Sequence, residues 1–288
     1  MTDLPAPRPD QRIAFSGEPG AFAEDAVRAA FGEVERVGLP GFRQVFEEVA
    51  GGRSLAGVVP IENSVHGTVR ENYDLLLEHD LEVGAEVVVP VRLCLAALPG
   101  QQLDDIERVY SHIQALGQAE AYLRTRPWAL LTTYNTAGAG RLIVDRQERG
   151  SAAVLSPRAA GLFGLEVLAD GIEDVADNRT RFLVVAEPGA TLPPLRAGAG
   201  AAMRTTLVVA VRNEPGALVR VLTIFSAHAL NMSTIESRPS RERAWEYVFW
   251  IDLDADRADP AAAAALLDLR SVTTLVRVLG SYPRAAEG

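Results

Sequence analysis

The sequence predicts an α/β protein of two lobes, followed by a smaller unit whose elements run in the order βαββαβ. Short β-rich runs alternate with helical patterns through residue 186, which is typical of an α/β sheet. Residues 187–203 are rich in Pro, Gly and Ala and lack periodicity, so we interpret them as a linker. The 288 residues, 48% of them hydrophobic, are enough to bury more than one core.

The elements of the first part follow from local patterns. The predicted strands are Arg12–Phe15, Gly57–Val59, Val109–Ser111, Leu130–Thr133, Ala152–Leu155 and Arg181–Val185. The predicted helices are Phe22–Phe31, Phe42–Ala50, Val69–Glu78, Gln114–Arg124 and Thr136–Arg146, with another starting at Ser156 and Pro157. Pro90 interrupts the apolar stretch Leu81–Leu98, which we expect to form strand pieces that cross between the lobes. We assign residues 12–80 and 178–186 to lobe one, and residues 81–177 to lobe two.

The smaller unit, residues 204–283, has its own pattern. Its predicted strands are Thr205–Val211, Ser233–Ser237, Ala244–Asp254 and Val272–Leu279. One helix is predicted at Gly216–His228, and a second starts at Asp259 and Pro260. The order of these elements is that of a ferredoxin-like split βαβ module.

Composition excludes several classes of chemistry. All 28 basic residues are arginine, which excludes a lysine Schiff base and a Walker A phosphate loop. The four histidines lack metal-ligand spacing, so we expect neither a metal nor another cofactor. The net charge of -10 argues against nucleic acid and anionic membranes as partners.

Nothing in the sequence suggests export or a membrane anchor. Residues 1–11 are rich in Pro and polar side chains, and no apolar run approaches the roughly 18 residues needed to cross a bilayer. Cys94, the single cysteine, lies in the apolar run Leu93–Leu98. One cysteine forms no internal disulfide, so we expect a reducing, cytoplasmic location.

Several segments place polar side chains where a predicted strand ends, which is where a scaffold exposes them to a cleft. They are residues 16–22, 60–64, 111–118 and 178–182, with Asn135–Gly140 as a further helix start. Each also has a simpler explanation. Gly17 and Gly20 suit a tight turn, and Ser111 is placed to cap a helix whose glutamines face solvent.

Taken in order, five motifs resemble those of the prephenate dehydratase family and of the ACT domain that follows its catalytic part. The motifs are Pro60-Ile61-Glu62-Asn63-Ser64, Ser111-His112-x-Gln114-Ala115, Asn178-x-Thr180-Arg181-Phe182, Gly216-Ala217-Leu218 and Glu236-Ser237-Arg238-Pro239. The resemblance implies a catalytic domain over residues 12–186, with the two-lobed architecture of type II periplasmic binding proteins, and an ACT regulatory domain over residues 204–283. The sequence departs from the family pattern at Ile113, where a proline is usual, and at Ala21 and Ala23, where hydroxyl residues are common.

The resemblance implies conversion of prephenate to phenylpyruvate, carbon dioxide and water on the route to phenylalanine. It also implies a homodimer or dimer of dimers that binds L-phenylalanine as a regulator. Thr180 matches the catalytic threonine. The residues predicted to bind substrate are Asn63, Ser111, Gln118, Thr136, Arg181, Phe182, Glu62 and Ser64. The residues predicted to bind phenylalanine are Gly216, Ala217, Leu218, Asn231, Glu236, Ser237 and Arg238.

The chemistry of the reaction narrows these roles. Loss of a ring hydroxyl needs a proton or a strong hydrogen bond, so we expect Thr180 to be an oriented donor, assisted by water or by a residue such as Glu62 or His112. Because the chain has no lysine, Arg181 is the leading cation for the substrate carboxylates. A regular strand, however, places Thr180 and Arg181 on opposite faces. Two alternative functions are an arogenate dehydratase and a non-catalytic, amino-acid-responsive ligand-binding sensor.

Overall fold

The computed structural model describes residues 12–196, 202–239 and 247–285. Three predictions lie partly or wholly outside these ranges: the polar segment 1–11, the end of the linker, and the start of the strand at Ala244–Asp254. Within the described ranges, no helix is both long and apolar enough to cross a membrane.

Lobe one is built on a mixed sheet whose strands come from both ends of the first 186 residues. The strands are β1 (Arg12–Ser16), β2 (Glu35–Leu39), β3 (Ala56–Asn63), β4 (Gly67–Thr68), β5 (Glu82–Pro90) and β11 (Arg179–Ala186). The helices packed on them are α1 (Phe22–Phe31), α2 (Phe42–Ala50) and α3 (Arg70–Glu78). The order is β2-β1-β3-β11-β5, with β4 paired to β3. Strand β11 is antiparallel to both of its neighbours and lies inside the sheet.

Lobe two repeats this design. Its strands are β6 (Cys94–Ala97), β7 (Arg108–Ser111), β8 (Ala129–Thr132), β9 (Ser151–Leu155) and β10 (Glu166–Asp170). Its helices are α4 (Ile113–Gln118), α5 (Glu120–Leu123), α6 (Thr136–Arg146) and α7 (Pro157–Leu162), with a 3-10 turn at Leu103–Asp105. The sheet order is β10-β6-β9-β7-β8.

Across the sheet of each lobe, three parallel strands lie next to one antiparallel strand, and a further strand lies beyond it at the edge. The inserted and edge strands are β11 and β5 in lobe one, and β6 and β10 in lobe two. This repeat confirms the two-lobed architecture of type II periplasmic binding proteins. Strands β5 and β6, which lie in different sheets, also confirm that the stretch Leu81–Leu98 crosses between the lobes.

Some local predictions need correction. Strand β5 pairs with β11 along its length, so the lobe boundary lies after Pro90 and not at residue 81. Strands β2 and β10 and the two-residue strand β4 have no counterpart among the predicted strands. The single helix predicted at Gln114–Arg124 is two short helices, α4 and α5, because Ala119 has a φ of -119° and breaks the helix.

The C-terminal unit is a four-stranded antiparallel sheet with two helices on one face, which confirms the predicted βαββαβ order. Its strands are β12 (Met203–Val211), β13 (Met232–Pro239), β14 (Tyr247–Leu253) and β15 (Leu275–Pro283), in the order β13-β14-β12-β15. Its helices are α8 (Ala217–Ala227) and α9 (Pro260–Leu269). Alternate residues of β12 face α8 and α9 on one side and lobe one on the other.

The second face of this sheet packs directly on lobe one. Trp250 and Tyr282 share a buried core with residues of α2, α3 and β5. Tyr73 of α3 meets Trp250 edge-on, with ring centroids 4.7 Å apart. Gly280 is needed for this approach, because a Cβ at that position would overlap the carbonyl oxygen of Val83. The C-terminal unit therefore covers the face of the lobe-one sheet opposite α1.

Candidate active site

Two chain crossings connect the lobes and run side by side. Residues 91–93 lead from β5 into β6, and residues 171–178 lead from β10 into β11. The amide of Val91 donates to the carbonyl of Asn178 at 2.8 Å. The return crossing thus delivers the chain to the start of β11 beside the gap between the lobes, where this class of fold binds ligands.

The side-chain amide of Asn63 joins three groups at this end of the sheet. Its Nδ2 donates to Asn178 Oδ1 at 2.8 Å, to Thr180 Oγ1 at 3.0 Å and to the Arg179 carbonyl at 3.1 Å. Asn63 and Thr180 are direct partners in the register of β3 and β11. All three polar side chains are buried, and 9% of the surface of Thr180 is exposed. We name Asn63, Asn178 and Thr180 the Thr180 cluster.

The amide group of Asn63 is held in one orientation. Its Oδ1 accepts from the backbone amides of Val65 at 3.0 Å and His66 at 2.9 Å, in the turn after β3. Since the oxygen is committed to these donors, the nitrogen faces Thr180, whose oxygen is the acceptor. Among the contacts of the described residues, the Thr180 hydroxyl makes this hydrogen bond only as an acceptor. Its own hydrogen is therefore available to a ligand.

Ser64 ties the turn after β3 to the start of β11. Its Oγ accepts from the amide of Arg179 at 2.9 Å and donates to the carbonyl of Asp177 at 3.3 Å. Both hydrogen-bonding roles of the hydroxyl are thus used by the backbone. The structure places Ser64 as a support of the Thr180 cluster.

Ser111 and His112 end β7 in lobe two. Ser111 is fully buried, and its hydroxyl donates to the Val154 carbonyl of β9 at 2.6 Å. It is not the helix cap. That role falls to His112, whose Nδ1 accepts from the amide of Gln114 at 3.3 Å. Burial lowers the pKa of the His112 imidazole, which favours the neutral form that can accept this bond.

Gln118 and Thr136 are half-buried residues at helix ends in lobe two. The carbonyl of Gln118 accepts from the amide of Asp174 at 2.7 Å, which links α4 to the return crossing. Thr136 is the first residue of α6, and the side chain of Asn135 caps this helix by accepting from the Gly138 amide. Gln118 therefore lies where α4 meets the return crossing, and Thr136 lies at the N-terminus of α6.

Arg181 lies on the face of β11 opposite Thr180, so the structure does not bring this predicted carboxylate ligand together with the Thr180 cluster. Its guanidinium donates to Asp252 of the C-terminal unit at 2.6 Å and lies 3.0 Å from Glu86 of β5. Glu62 of β3 is on the same face, 3.8 Å from Arg181. Glu62 and Arg181 are direct partners in the pairing of β3 with β11, and direct partners share one face of a sheet, so both face the C-terminal unit.

Phe182 shares the Thr180 face but is buried in the core of lobe one. Only 2% of its surface is exposed, and it packs with Phe15, Val58 and Val87 beneath α1. The structure therefore does not expose this predicted substrate contact at the Thr180 cluster. Its ring instead supports the strand that carries Thr180.

Arg181 belongs to a chain of alternating charges between lobe one and the C-terminal unit. Glu86 Oε2 lies 3.0 Å from Arg181 Nε and 2.6 Å from Arg204 Nη1. Arg204 in turn lies 3.7 Å from Asp254. Glu86, Arg204 and Asp252 are 3%, 5% and 4% exposed, so these charges are removed from water. We name the following set the interdomain ion cluster: Glu62, Glu86, Arg181, Arg204, Asp252 and Asp254.

The partners of Arg181 keep it charged despite its burial. Burial opposes the cation, yet Asp252, Tyr282 and Glu86 raise the pKa of the guanidinium above its ordinary value. Thr206 orients Asp252 by donating its hydroxyl to Oδ1 at 2.6 Å. Removing one partner of such a set leaves an uncompensated buried charge, which is strongly destabilising.

The residues predicted to bind phenylalanine fall into two groups. Gly216, with a φ of 80°, precedes α8, and Ala217 and Leu218 form its first turn. Asn231 donates its Nδ2 to Asp254 at 2.6 Å, so it touches the interdomain ion cluster.

The motif on β13 is divided by strand alternation. The hydroxyl of Thr68 in lobe one donates to Glu236 at 2.5 Å, and Arg238 lies 3.2 Å from Asp74 of α3. Ser237, between them, is exposed on the other side. Glu236 and Arg238 therefore contact lobe one, and phenylalanine binding at this motif stays a prediction.

Sequence reasoning misses the contact that bridges the lobes at the first loop. Glu18 accepts from the hydroxyl of Tyr134 at 3.0 Å and pairs with Arg141 of α6 at 2.5 Å. No local pattern indicates these partners. By contrast, Glu86 and Asp252 carry a visible signal, since each is a carboxylate with apolar residues on both sides in its strand.

Comparison with known proteins agrees with this architecture. The family model described as Prephenate dehydratase matches residues 13–190, and that described as ACT domain matches residues 205–271. An arogenate dehydratase/prephenate dehydratase of Arabidopsis thaliana, a chloroplastic protein, is 37% identical over 94% of this chain and 72% of its own length. A solved prephenate dehydratase from Arthrobacter aurescens, in complex with L-Phe, has a TM-score of 0.85 at 34% identity and covers 95% of this chain and 90% of its own. A solved quorum-quenching acylase has a TM-score of 0.86 at 32% identity, over 96% of this chain and 98% of its own.

Proposed function

This chain belongs to the prephenate dehydratase family, and we propose that it converts prephenate to phenylpyruvate, carbon dioxide and water. The observation that carries the proposal is the hydroxyl of Thr180. It accepts from Asn63 at 3.0 Å and, among the described residues, keeps its own hydrogen uncommitted. A buried hydroxyl with a fixed acceptor bond is an oriented donor for the oxygen that leaves the substrate ring.

The reaction consumes one proton. The bond between the ring and its carboxylate breaks, and the electron pair of that bond enters the ring as carbon dioxide departs. The bond from the ring to its hydroxyl breaks as well, and that oxygen leaves with the added proton as water. Aromatisation drives these steps, so the task of the site is to stabilise the leaving oxygen. A placed donor contributes about 10²-fold to 10³-fold and a general acid about 10²-fold to 10⁴-fold.

The two carboxylates of prephenate need donors other than Arg181. The first turn of α6, which begins at Thr136, offers backbone amides of the kind that bind anions at a helix N-terminus. Arg141, on the same helix, already binds one carboxylate across the gap, that of Glu18 at 2.5 Å. We assign recognition of a substrate carboxylate to these groups of lobe two.

Regulation by L-phenylalanine and self-association are part of the proposal. The solved relative from Arthrobacter aurescens contains L-Phe, and the start of α8 at Gly216 offers amides to a carboxylate. Val219, Ile235 and Tyr247 of the ACT domain are 63%, 39% and 43% exposed, which supports a homodimer or dimer of dimers. The lone, buried Cys94 supports a reducing, cytoplasmic setting.

Turnover of prephenate and of arogenate by the purified protein tests the proposal. We expect phenylpyruvate from prephenate, with a higher kcat/KM than for arogenate, whose product is phenylalanine. Arogenate is the second candidate, because the name of the Arabidopsis relative includes both substrates. Turnover of neither substrate, together with calorimetric binding of an amino acid, would contradict the proposal and favour the sensor. An amide-hydrolysis assay in parallel covers the activity of the acylase relative.

A further inference from the structure

The proposed function leaves the interdomain ion cluster without a role, although the cluster adjoins the catalytic strand. Arg181 follows Thr180 in β11. The pairing of β11 with β3 shifts register between Arg181 and Phe182. A bulge interrupts the ladder and re-aims neighbouring side chains, so on the β3 side the end of β11 that carries Thr180 pairs in a different register from the rest of the strand, whereas its pairing with β5 is continuous from Arg179 to Val184. Contacts that hold Arg181 therefore contribute to the placement of Thr180.

The charges are divided so that each domain keeps an opposite pair of its own. Lobe one supplies Arg181 and Glu86, which are 3.0 Å apart. The ACT domain supplies Arg204 with Asp254, 3.7 Å apart, together with Asp252. If the two domains shifted, Arg181 and Arg204 would each retain a carboxylate of its own domain. Because neither arginine would be left without a carboxylate partner when the two domains move apart, this buried interface is suited to rearrangement.

The same cluster reaches the region predicted to bind phenylalanine. Asn231 donates to Asp254 at 2.6 Å, and Asp254 lies 3.7 Å from Arg204. Arg204 lies 2.6 Å from Glu86, which pairs with Arg181. A continuous series of polar contacts thus runs from the ACT domain to the residue beside Thr180.

We infer that Arg181 is a positioning residue through which the ACT domain sets the placement of Thr180. The ion pair with Asp252, at 2.6 Å, holds β11 against the ACT sheet and keeps the Thr180 hydroxyl aligned with Asn63. Release of that pair moves the hydroxyl and lowers turnover without weakening substrate binding. The inference rests on the proposed function, since its measure is turnover at Thr180.

Asp252→Asn is the test, because the amide keeps an acceptor for Thr206 and removes the charge that faces Arg181. We expect kcat for prephenate to fall about tenfold, with KM within about twofold of the wild-type value. Arg277→Gln is the matched control. Arg277 also links the ACT domain to lobe one, donating to the carbonyls of Leu77 at 3.2 Å and His79 at 2.8 Å, but it meets the end of α3 and not β11. Its kcat stays within about twofold of wild type.

Two results would overturn the inference. One is a wild-type kcat in Asp252→Asn. The other is an equal fall of kcat in Arg277→Gln, which would mean that any weakening of the contact between the ACT domain and lobe one lowers turnover. If Asp252→Asn does not fold, Thr206→Val replaces it. That change removes the hydroxyl that orients Asp252 at 2.6 Å, and we expect a smaller fall of kcat in the same direction. Unchanged kcat there also overturns the inference. Failure of the proposed function is seen separately, as absence of turnover in the wild-type protein.

Discussion

The two faces of β11 are built from different kinds of groups. On one face, Thr180 and Asn63 form a neutral cluster of hydroxyl and amide groups that leaves a hydrogen available. On the other face, Arg181 is held by carboxylates from two domains, Glu86 and Asp252. The faces belong to adjacent residues, because side chains of a strand alternate. One short segment therefore presents the proposed catalytic hydroxyl on one side and contacts the ACT domain on the other.

The largest expected effect comes from removing the hydroxyl on the neutral face. Thr180→Val keeps the shape of the side chain and deletes the donor, so we expect kcat for prephenate to fall by about 10²-fold or more. KM changes little, because the lost interaction acts mainly in the transition state. Steady-state kinetics measures both. Thr125→Val, at an exposed threonine of lobe two, is the control and keeps wild-type kinetics. A near-native kcat in Thr180→Val would refute the donor role.

A second change tests whether the free hydrogen of Thr180 is what matters. Asn63→Asp replaces the Nδ2 that donates to Thr180 at 3.0 Å with an acceptor. The Thr180 hydroxyl then donates to the new carboxylate and no longer to the substrate, so we expect kcat to fall on the order of 10-fold to 100-fold. Asn63→Asp keeps the oxygen that accepts from Val65 and His66, so the turn is retained. Wild-type kcat in this variant would mean that the orientation of the hydroxyl is unimportant.

Much of the fold follows from local hydrophobic periodicity, and the exceptions lie at sheet edges. The bounds of α1, α2 and α6 coincide with the predicted helices. Strands β2 and β10, which escaped prediction, are the outer strands of their sheets. Edge strands bury less surface, so their sequences carry charges and a weak alternation that local patterns do not separate from loops.

The candidate site was less predictable, because its contacts depend on distant parts of the chain. The motifs identify Thr180 and Asn63, but the hydrogen bond between them spans 117 positions. The pair formed by Arg181 and Asp252 spans 71 positions and depends on how the ACT sheet packs on lobe one. Alternation along β11 predicts that Arg181 leaves the Thr180 face, but not which partner meets it.

The charged face is tested by Arg181→Gln, which is expected to affect stability as well as turnover. It leaves Asp252 buried without the cation that pairs with it, while Glu86 keeps Arg204, so the free energy of unfolding falls by about 3 kcal/mol. We expect kcat to fall about tenfold with KM unchanged, which is the result that the inferred positioning role of Arg181 requires. Chemical denaturation and steady-state kinetics provide the two measurements.

Arg43→Gln is the control for the loss of a single ion pair. Arg43 pairs with Glu78 at 2.8 Å on the surface, where both side chains are partly exposed, so its removal lowers the free energy of unfolding much less than Arg181→Gln does. If Arg181→Gln instead raised KM strongly at constant kcat, Arg181 would be a substrate ligand. The division of β11 into a substrate-facing side and a side that only contacts the ACT domain would then be wrong.

The smallest expected effect concerns pH. The Thr180 cluster contains no ionisable side chain, whereas the imidazole of His112, which caps α4 in lobe two, is ionisable. Burial lowers the pKa of the His112 imidazole in the folded protein. In the unfolded chain the imidazole titrates near 6.5, so as pH falls through that value the unfolded state binds the proton first. Stability contributed by the neutral cap is present above pH 6.5 or so and is lost as pH falls toward the folded pKa.

His112→Asn removes this titration but keeps an acceptor for the amide of Gln114. The free energy of unfolding of the wild-type protein should therefore decline below about pH 6.5 relative to the variant, by less than the 1 kcal/mol or so that a helix cap contributes. Denaturant melts between pH 7.5 and pH 5 measure the difference. Parallel curves for the two proteins would show that protonation of His112 is not linked to folding. If kcat fell equally in both proteins as the pH was lowered, the pH dependence of turnover would have to come from an ionisable group other than His112. That group would also lie outside the Thr180 cluster, which has none.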